Sequence, residues 1–201
     1  MRYLALGDSY TIGESVLERE RWPNQLADML RERGHPVDVT MIACTGWTTS
    51  ELAEGIRAAH LDGTFDLVTL LIGVNNQYRG LTLNEYRVEF DSLLEQAIQF
   101  AGGDPKRVLV LSIPDWSVTP FAAGRDRARV SAEIDAFNAL NRDWSARAGV
   151  RYVDVTPVSR LASDDPSLLA PDGLHPSGRM YARWADLGLS EAQAALKRCN
   201  V

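Results

Sequence analysis

Residues 1–15 read MRYLALGDSYTIGES. A short apolar run, Arg2–Leu6, stops at Gly7 and delivers an acid, a hydroxyl and a phenol (Asp8, Ser9, Tyr10) into a turn. If Arg2–Leu6 is the first strand of a parallel sheet, Ser9 falls just past its carboxyl end, where open α/β sheets place their ligands. Ser9 is then a candidate nucleophile. Asp and Ser after Gly also serve simply to satisfy a turn and cap the next segment. The rest of the chain has to decide between the two roles.

Outward from this stretch, apolar runs of strand length recur at Val37–Ile42, Leu67–Ile72, Arg107–Ser112 and Val150–Val155. They are rich in Val, Ile and Leu, the pattern of parallel strands buried on both faces. Helical stretches lie between them. Pro23 stands near a first turn before Gln25–Arg33, and Thr48–Glu51 and Thr82–Glu85 read as capping boxes. Glu85–Ala101 puts Tyr86, Phe90, Leu93, Leu94 and Ala97 on one face; Asp126–Arg147 does the same with Ile134, Phe137, Leu140 and Trp144. A last helix is expected from near Ser177 to about Arg198, with Tyr181, Trp184, Leu187 and Leu189 facing inward. Alternating strands and helices with right-handed crossovers specify a doubly wound α/β fold: a three-layer α/β/α sandwich on a five-stranded parallel sheet of order 2-1-3-4-5.

The bulk properties fit one such domain over residues 1–201. With 45% hydrophobic residues the chain can bury a full core, and it has no linker long enough to divide it. The formal charge is −6, and the 21 basic residues are mixed with acids along the helices, so nucleic acid is not an expected partner. All but two of those basic residues, Lys106 and Lys197, are arginine. No apolar stretch reaches the ~20 residues of a membrane span, and MRYLAL lacks the features of a secretory signal. A cytoplasmic protein with no membrane partner is expected. Cys44 and Cys199 fit free thiols in a reducing compartment.

In a doubly wound sheet every strand-to-helix loop gathers on one edge. Three histidines are then sorted sharply. His35 sits in a turn leading into strand 2, on the opposite edge, and His60 ends a helix before strand 3. His175, within Pro171–Gly178, follows strand 5 and shares the edge of Ser9, so it alone can serve as the base of Ser9. A base needs an acid on its other ring nitrogen to fix the tautomer. Asp172, three residues earlier, is the first choice, and Asp154 at the end of strand 5 is a rival. Donors for a developing oxyanion are the third requirement. Strand 2 leads into Cys44-Thr45-Gly46-Trp47 and strand 3 into Gly73-Val74-Asn75-Asn76; Gly46, Asn75 and the N–H of Ser9 are the chosen donors.

The four stretches GDSYTIGES, Thr45-Gly46, Gly73-Val74-Asn75-Asn76 and Asp172–Gly178 resemble, in order and spacing, the four sequence blocks of the SGNH/GDSL hydrolase family. The resemblance implies a flavodoxin-like sandwich and ester hydrolysis without metal or cofactor. It assigns the nucleophile to Ser9, the oxyanion glycine and asparagine to Gly46 and Asn75, and the acid and histidine to Asp172 and His175. The third block usually ends Asn-Asp, whereas this chain has Asn75-Asn76, and the first reads Ser-Tyr for the usual Ser-Leu. Asn76 is expected to anchor its turn.

Other chemistries find less support. Asp8 could accept phosphate as in receiver-like proteins, but that chemistry wants further acids for Mg²⁺ and a lysine, and neither Lys106 nor Lys197 fits. A nucleotide-binding module lacks both GxGxxG and the Walker pattern, and an α/β-hydrolase lacks its GxSxG elbow. Cys44 with His175 is too few ligands for zinc. The expected ligand is a small ester, with Trp47, Tyr78, Trp116 and Phe121 as an aromatic wall on the active edge. Short-acyl or acetyl esters fit best, with acyl thioesters and O-acetylated carbohydrates as alternatives.

Overall fold

The computed structural model describes residues 1–197. In chain order it contains β1 (Arg2–Gly7), α1 (Ser9–Ile12), α2 (Trp22–Glu32), β2 (Asp38–Ala43), α3 (Thr49–Ala58), β3 (Leu67–Leu71), α4 (Val74–Tyr78), α5 (Leu83–Phe100), β4 (Val108–Leu111), α6 (Arg127–Ala148), β5 (Arg151–Val153), α7 (Thr156–Ser159) and α8 (Gly178–Leu196), with short 3₁₀ turns between them. The sheet is parallel throughout, in the order β2-β1-β3-β4-β5. This is the expected three-layer fold. α2 and α8 pack together on one face, and α3, α5 and α6 cover the other.

One row of side chains shows why the sheet holds. Ile42, Leu6, Leu70, Val110 and Tyr152 stand in register across all five strands. β3 and β4 are buried along their whole length, and β1 is buried after Arg2. Parallel strands covered on both faces need such continuous apolar runs. Above them, Trp22, Leu26 and Leu30 of α2 and Tyr86, Phe90 and Leu93 of α5 are buried. Thr48 and Thr82 close the capping boxes read from sequence, each accepting from the N–H three residues on and answered by Glu51 and Glu85. Gly7 ends β1 because no side chain fits there. A Cβ would meet Thr11 Oγ1 at 2.2 Å and the Leu71 carbonyl oxygen at 2.4 Å.

Two details differ from the sequence reading. β5 is shorter than Val150–Val155, giving way to α7. On α8, Tyr181 and Trp184 are buried, but Leu187 is 41% exposed. The buried stripe runs through Gly188, Ala192 and Ala195, and at 3.6 residues per turn Leu187 falls at its edge. Ser177 occupies the N-cap of α8, yet its hydroxyl donates to the Ser167 carbonyl at 2.8 Å and caps nothing. Among the described residues no helix is long and apolar enough to cross a membrane. Cys44 is exposed, and Arg198 and Cys199 lie outside the described residues.

Candidate active site

Because Gly7, Ala43 and Leu71 are paired in register, the loops after β1, β2 and β3 leave the sheet at one level. β1 passes into the single turn α1, where Asp8 caps by accepting from the Tyr10 N–H at 3.0 Å and Ser9 takes the first helical position. The chain after β2 turns through Cys44–Trp47, closed by a 3.3 Å bond from the Trp47 N–H to the Cys44 carbonyl. Gly46 holds φ +88° there, the left-handed value that a type II turn requires at its third residue. Asn75 stands in the first turn of α4. The Thr45 hydroxyl donates to the Glu14 carboxylate, tying the first two loops together.

Ser9, Gly46, Asn75 and His175 line one cleft of about 160 Å³. His175 is 8% exposed. Its Nδ1 meets Asp172 Oδ2 at 2.7 Å, and Asp172 Oδ1 accepts the N–H groups of Leu174 and His175, each at 2.9 Å. Burial pushes the Asp172 carboxyl upward, but bonds from the His175 ring, the Leu174 N–H, the Ser15 hydroxyl and the His175 N–H outweigh it. They hold the group well below the usual carboxylate range. The Tyr10 ring lies edge-on to the imidazole at 5.5 Å and backs it against Trp184. Asp154 is engaged elsewhere. It accepts from Ser112 Oγ at 3.1 Å and pairs with Arg142 at 2.7 Å.

The donors chosen from sequence are placed as follows. Asn75 Nδ2 gives one N–H to the Trp47 carbonyl at 2.9 Å, which fixes the amide beside the turn of Gly46. Among the described residues, the N–H groups of Ser9 and Gly46 donate to no other group outside the regular helices and strands. Asn76 is fully buried and holds α3, with Nδ2 donating to Thr49 Oγ1 at 2.6 Å and Oδ1 accepting the Thr49 N–H at 3.1 Å. The Thr49 hydroxyl in turn donates to Glu89.

Of the four aromatics, Tyr78, Trp116 and Phe121 line the cleft, with ring centroids 5.6–6.1 Å apart. Those separations suit tilted and edge-to-face pairing. Trp47 does not join them. Its indole seats over Gly55 of α3, where a Cβ would come within 2.2 Å of the ring. The polar segment after β3 is helical as α4, anchored by Gln77, which bonds to Trp116 and Glu133. Ser15 and Gln77 were not singled out in the sequence, and their bonds reach across 157 and 56 residues.

Asp8 is fully buried, and burial pushes its carboxyl up to about 7 against the pull of the Tyr10 N–H. A phosphoacceptor has to be exposed to its donor, and Asp8 is out of reach of one. Among the described residues no group of three or more His, Cys, Asp or Glu side chains gathers as a metal site.

The parallel sheet of order β2-β1-β3-β4-β5 with helices on both faces defines a class, the flavodoxin-like α/β/α sandwiches. Residues 5–183 match the model of the GDSL-like lipase/acylhydrolase family, and the chain belongs to that family as a carboxylic ester hydrolase. Solved structures share the fold at low identity. A lipase/acylhydrolase from Enterococcus faecalis is 19% identical with a TM-score of 0.74, over 100% of this chain and 99% of that one. An acetylxylan esterase from Geobacillus stearothermophilus is 18% identical at 0.75, over 95% and 93%. A psychrotrophic esterase from Pseudoalteromonas is 15% identical at 0.72, over 96% of each. Comparison with curated protein sequences finds no significant match.

Proposed function

We propose that the chain hydrolyses short-acyl esters, acetyl esters above all, through Ser9, His175 and Asp172. The observation that carries the reading is the 2.7 Å bond between His175 Nδ1 and Asp172 Oδ2 in the cleft that Ser9 also lines. With Nδ1–H held by an ionised carboxylate, Nε2 is the free lone pair. It takes the Ser9 proton as Oγ attacks the carbonyl carbon, and Asp172 stabilises the imidazolium. The carbonyl oxygen becomes an anion held by the Ser9 and Gly46 N–H groups and the Asn75 amide. His175 then returns the proton to the departing alkoxide, and the acyl-enzyme is opened by water in the same sequence.

Size supports a short acyl group. The cleft of about 160 Å³ is small beside the ~300–1,000 Å³ of pockets that take drug-sized ligands. Val74, Leu174 and the aromatic trio give it apolar walls, suited to a methyl or ethyl group. A fluorophosphonate probe tests the nucleophile. It is expected to add once, on the peptide carrying Ser9, with labelling lost in Ser9→Ala. A panel of acyl esters of graded length tests the cleft, with kcat/KM falling beyond butyryl. Labelling elsewhere, or a preference for long acyl chains or thioesters, would overturn the reading.

A further inference from the structure

A second cleft of about 470 Å³ adjoins the first, and Tyr78 and Trp116 are common to both linings. The two differ in chemistry. The wall of the larger cleft is a chain of polar bonds: Trp116 Nε1 donates to Gln77 Oε1 at 2.9 Å, Gln77 Nε2 to Glu133 Oε2 at 2.8 Å, and Arg129 Nε to Glu133 Oε1 at 2.8 Å. Arg125 stands across from it, its guanidinium 5.6 Å from the Tyr78 ring centre and 3.4 Å from the phenol oxygen. Val130 and Phe137 supply carbon surface beneath. An ester bound at Ser9 has two substituents to place, and the clefts offer two places, one mainly apolar and one that mixes hydrogen-bonding groups with carbon surface.

We infer that the larger cleft is the subsite for the alcohol half of the substrate, and that this half is an uncharged, hydroxyl-rich group of the size of a sugar ring. The inference rests on the esterase reading above. Arg129 has unused N–H groups and Glu133 unused lone pairs, so a hydroxyl finds both a donor and an acceptor. An alkyl chain in the same place would desolvate that ion pair and return no hydrogen bond. Formal charges balance in the lining, Arg125 and Arg129 against Asp126 and Glu133, so the cleft selects for no net charge. The Tyr78 ring, 44% exposed between the two clefts, offers a flat face to the C–H surface of a ring.

Three acetyl esters separate the possibilities: 6-O-acetylglucose, hexyl acetate of similar reach, and an O-acetylated uronic acid. Wild-type kcat/KM is expected to be at least tenfold higher for 6-O-acetylglucose than for either of the others. In Arg129→Leu/Glu133→Leu, whose side chains are 77% and 36% exposed, the ratio of 6-O-acetylglucose to hexyl acetate should fall at least tenfold, mainly through KM. Arg125→Ala should move the same ratio in the same direction, without touching the Gln77 chain. In Ser9→Ala, glucose should still bind in calorimetry and lose binding when the two leucines are added. A wild-type preference for hexyl acetate or the uronate, or a ratio unmoved in both variants, would overturn the subsite while leaving the esterase intact. Failure to hydrolyse any of the three, together with no fluorophosphonate labelling of Ser9, would instead remove the esterase reading and this one with it.

Discussion

Ser15 Oγ donates at 2.7 Å to Asp172 Oδ2, the same oxygen that meets His175 Nδ1. The first loop and the last loop of the chain therefore converge on one carboxylate. Ser15 reaches it with φ at +64°, one of only two positive values outside glycine among the described residues. A left-handed conformation costs an L-residue about 1–2 kcal/mol. Such strain persists where the surroundings over-determine it, and it gathers at functional sites.

Two substitutions separate the hydroxyl from the strain. Ser15→Gly removes the hydroxyl and relieves the backbone, while Ser15→Ala removes the hydroxyl and keeps the strain. Both should lower kcat by about three- to tenfold, the worth of roughly 1 kcal/mol for a hydrogen bond, with little change in KM. The Asp172 carboxyl should titrate at higher pH in both variants, as read by carboxyl carbon NMR, because one of the bonds that hold it ionised is gone. Thermal melts should rank the glycine variant above the alanine variant. Wild-type kcat in both would detach Ser15 from the proposed catalytic role of Asp172.

The choice between acids has its own measurement. Asp172→Asn should cost kcat up to about 10⁴-fold, since an amide permits the wrong imidazole tautomer. Asp154→Asn loses an exposed pairing with Arg142, worth about 0–1 kcal/mol of stability, and should keep kcat near wild type. Steady-state kinetics on one acetyl ester decides. The reverse ranking would mean that His175 takes its acid from Asp154.

Most of the architecture is legible because buried parallel strands must be apolar on both faces, so β1, β3 and β4 stand out as continuous runs, while the half-buried edge strand β2 mixes Asp38 and Thr40 with its apolar residues. The edge rule then needs only strand order to gather Ser9, Gly46, Asn75 and His175, which do line one cleft. Side-chain direction is less legible. Trp47 lies on the right edge, but its ring turns to the seat left open by Gly55, which is settled by packing between the turn and α3. A glycine inside a helix, at a cost of about 1 kcal/mol, is the one local hint that something large lies against it. Ser15 and Gln77 leave no such hint, because their partners are distant in sequence and their own neighbourhoods look like ordinary loop.

Asn75 and Asn76 should fail in different ways. Asn75→Ala removes the proposed oxyanion donor and should lower kcat by about 10²–10³ with little change in KM. Asn76→Asp would seem harmless, since it restores the common pattern, yet the structure argues otherwise. Asn76 gives a proton to Thr49 Oγ1, whose own proton is committed to Glu89. A carboxylate at 76 would be fully buried and would compete with Glu89 for that single hydroxyl proton. The variant should melt lower, and adding Glu89→Gln should recover part of the loss by removing the competing charge. A melt unchanged from wild type would show that the network is not exclusive.

Asp8 gives a pH dependence with a definite sign. Its folded value, pushed up to about 7 by burial, lies above the unfolded value of 3.8, so the folded protein holds a proton that the unfolded chain has released between those limits. Stability from this group is therefore full below about pH 4, falls as pH rises, and levels off above about 7. Three units correspond to roughly 4 kcal/mol at most. Asp172 has the opposite sign, its contribution being present above its unfolded value and lost as pH falls. Asp8→Asn keeps an oxygen to accept the Tyr10 N–H and removes the titration. The stability of Asp8→Asn relative to wild type should then rise between pH 4 and pH 8 by up to about 4 kcal/mol, whatever constant offset the buried amide adds. Denaturant melts of both proteins at several pH values measure it, and parallel curves would place Asp8 outside the titrating groups of the fold.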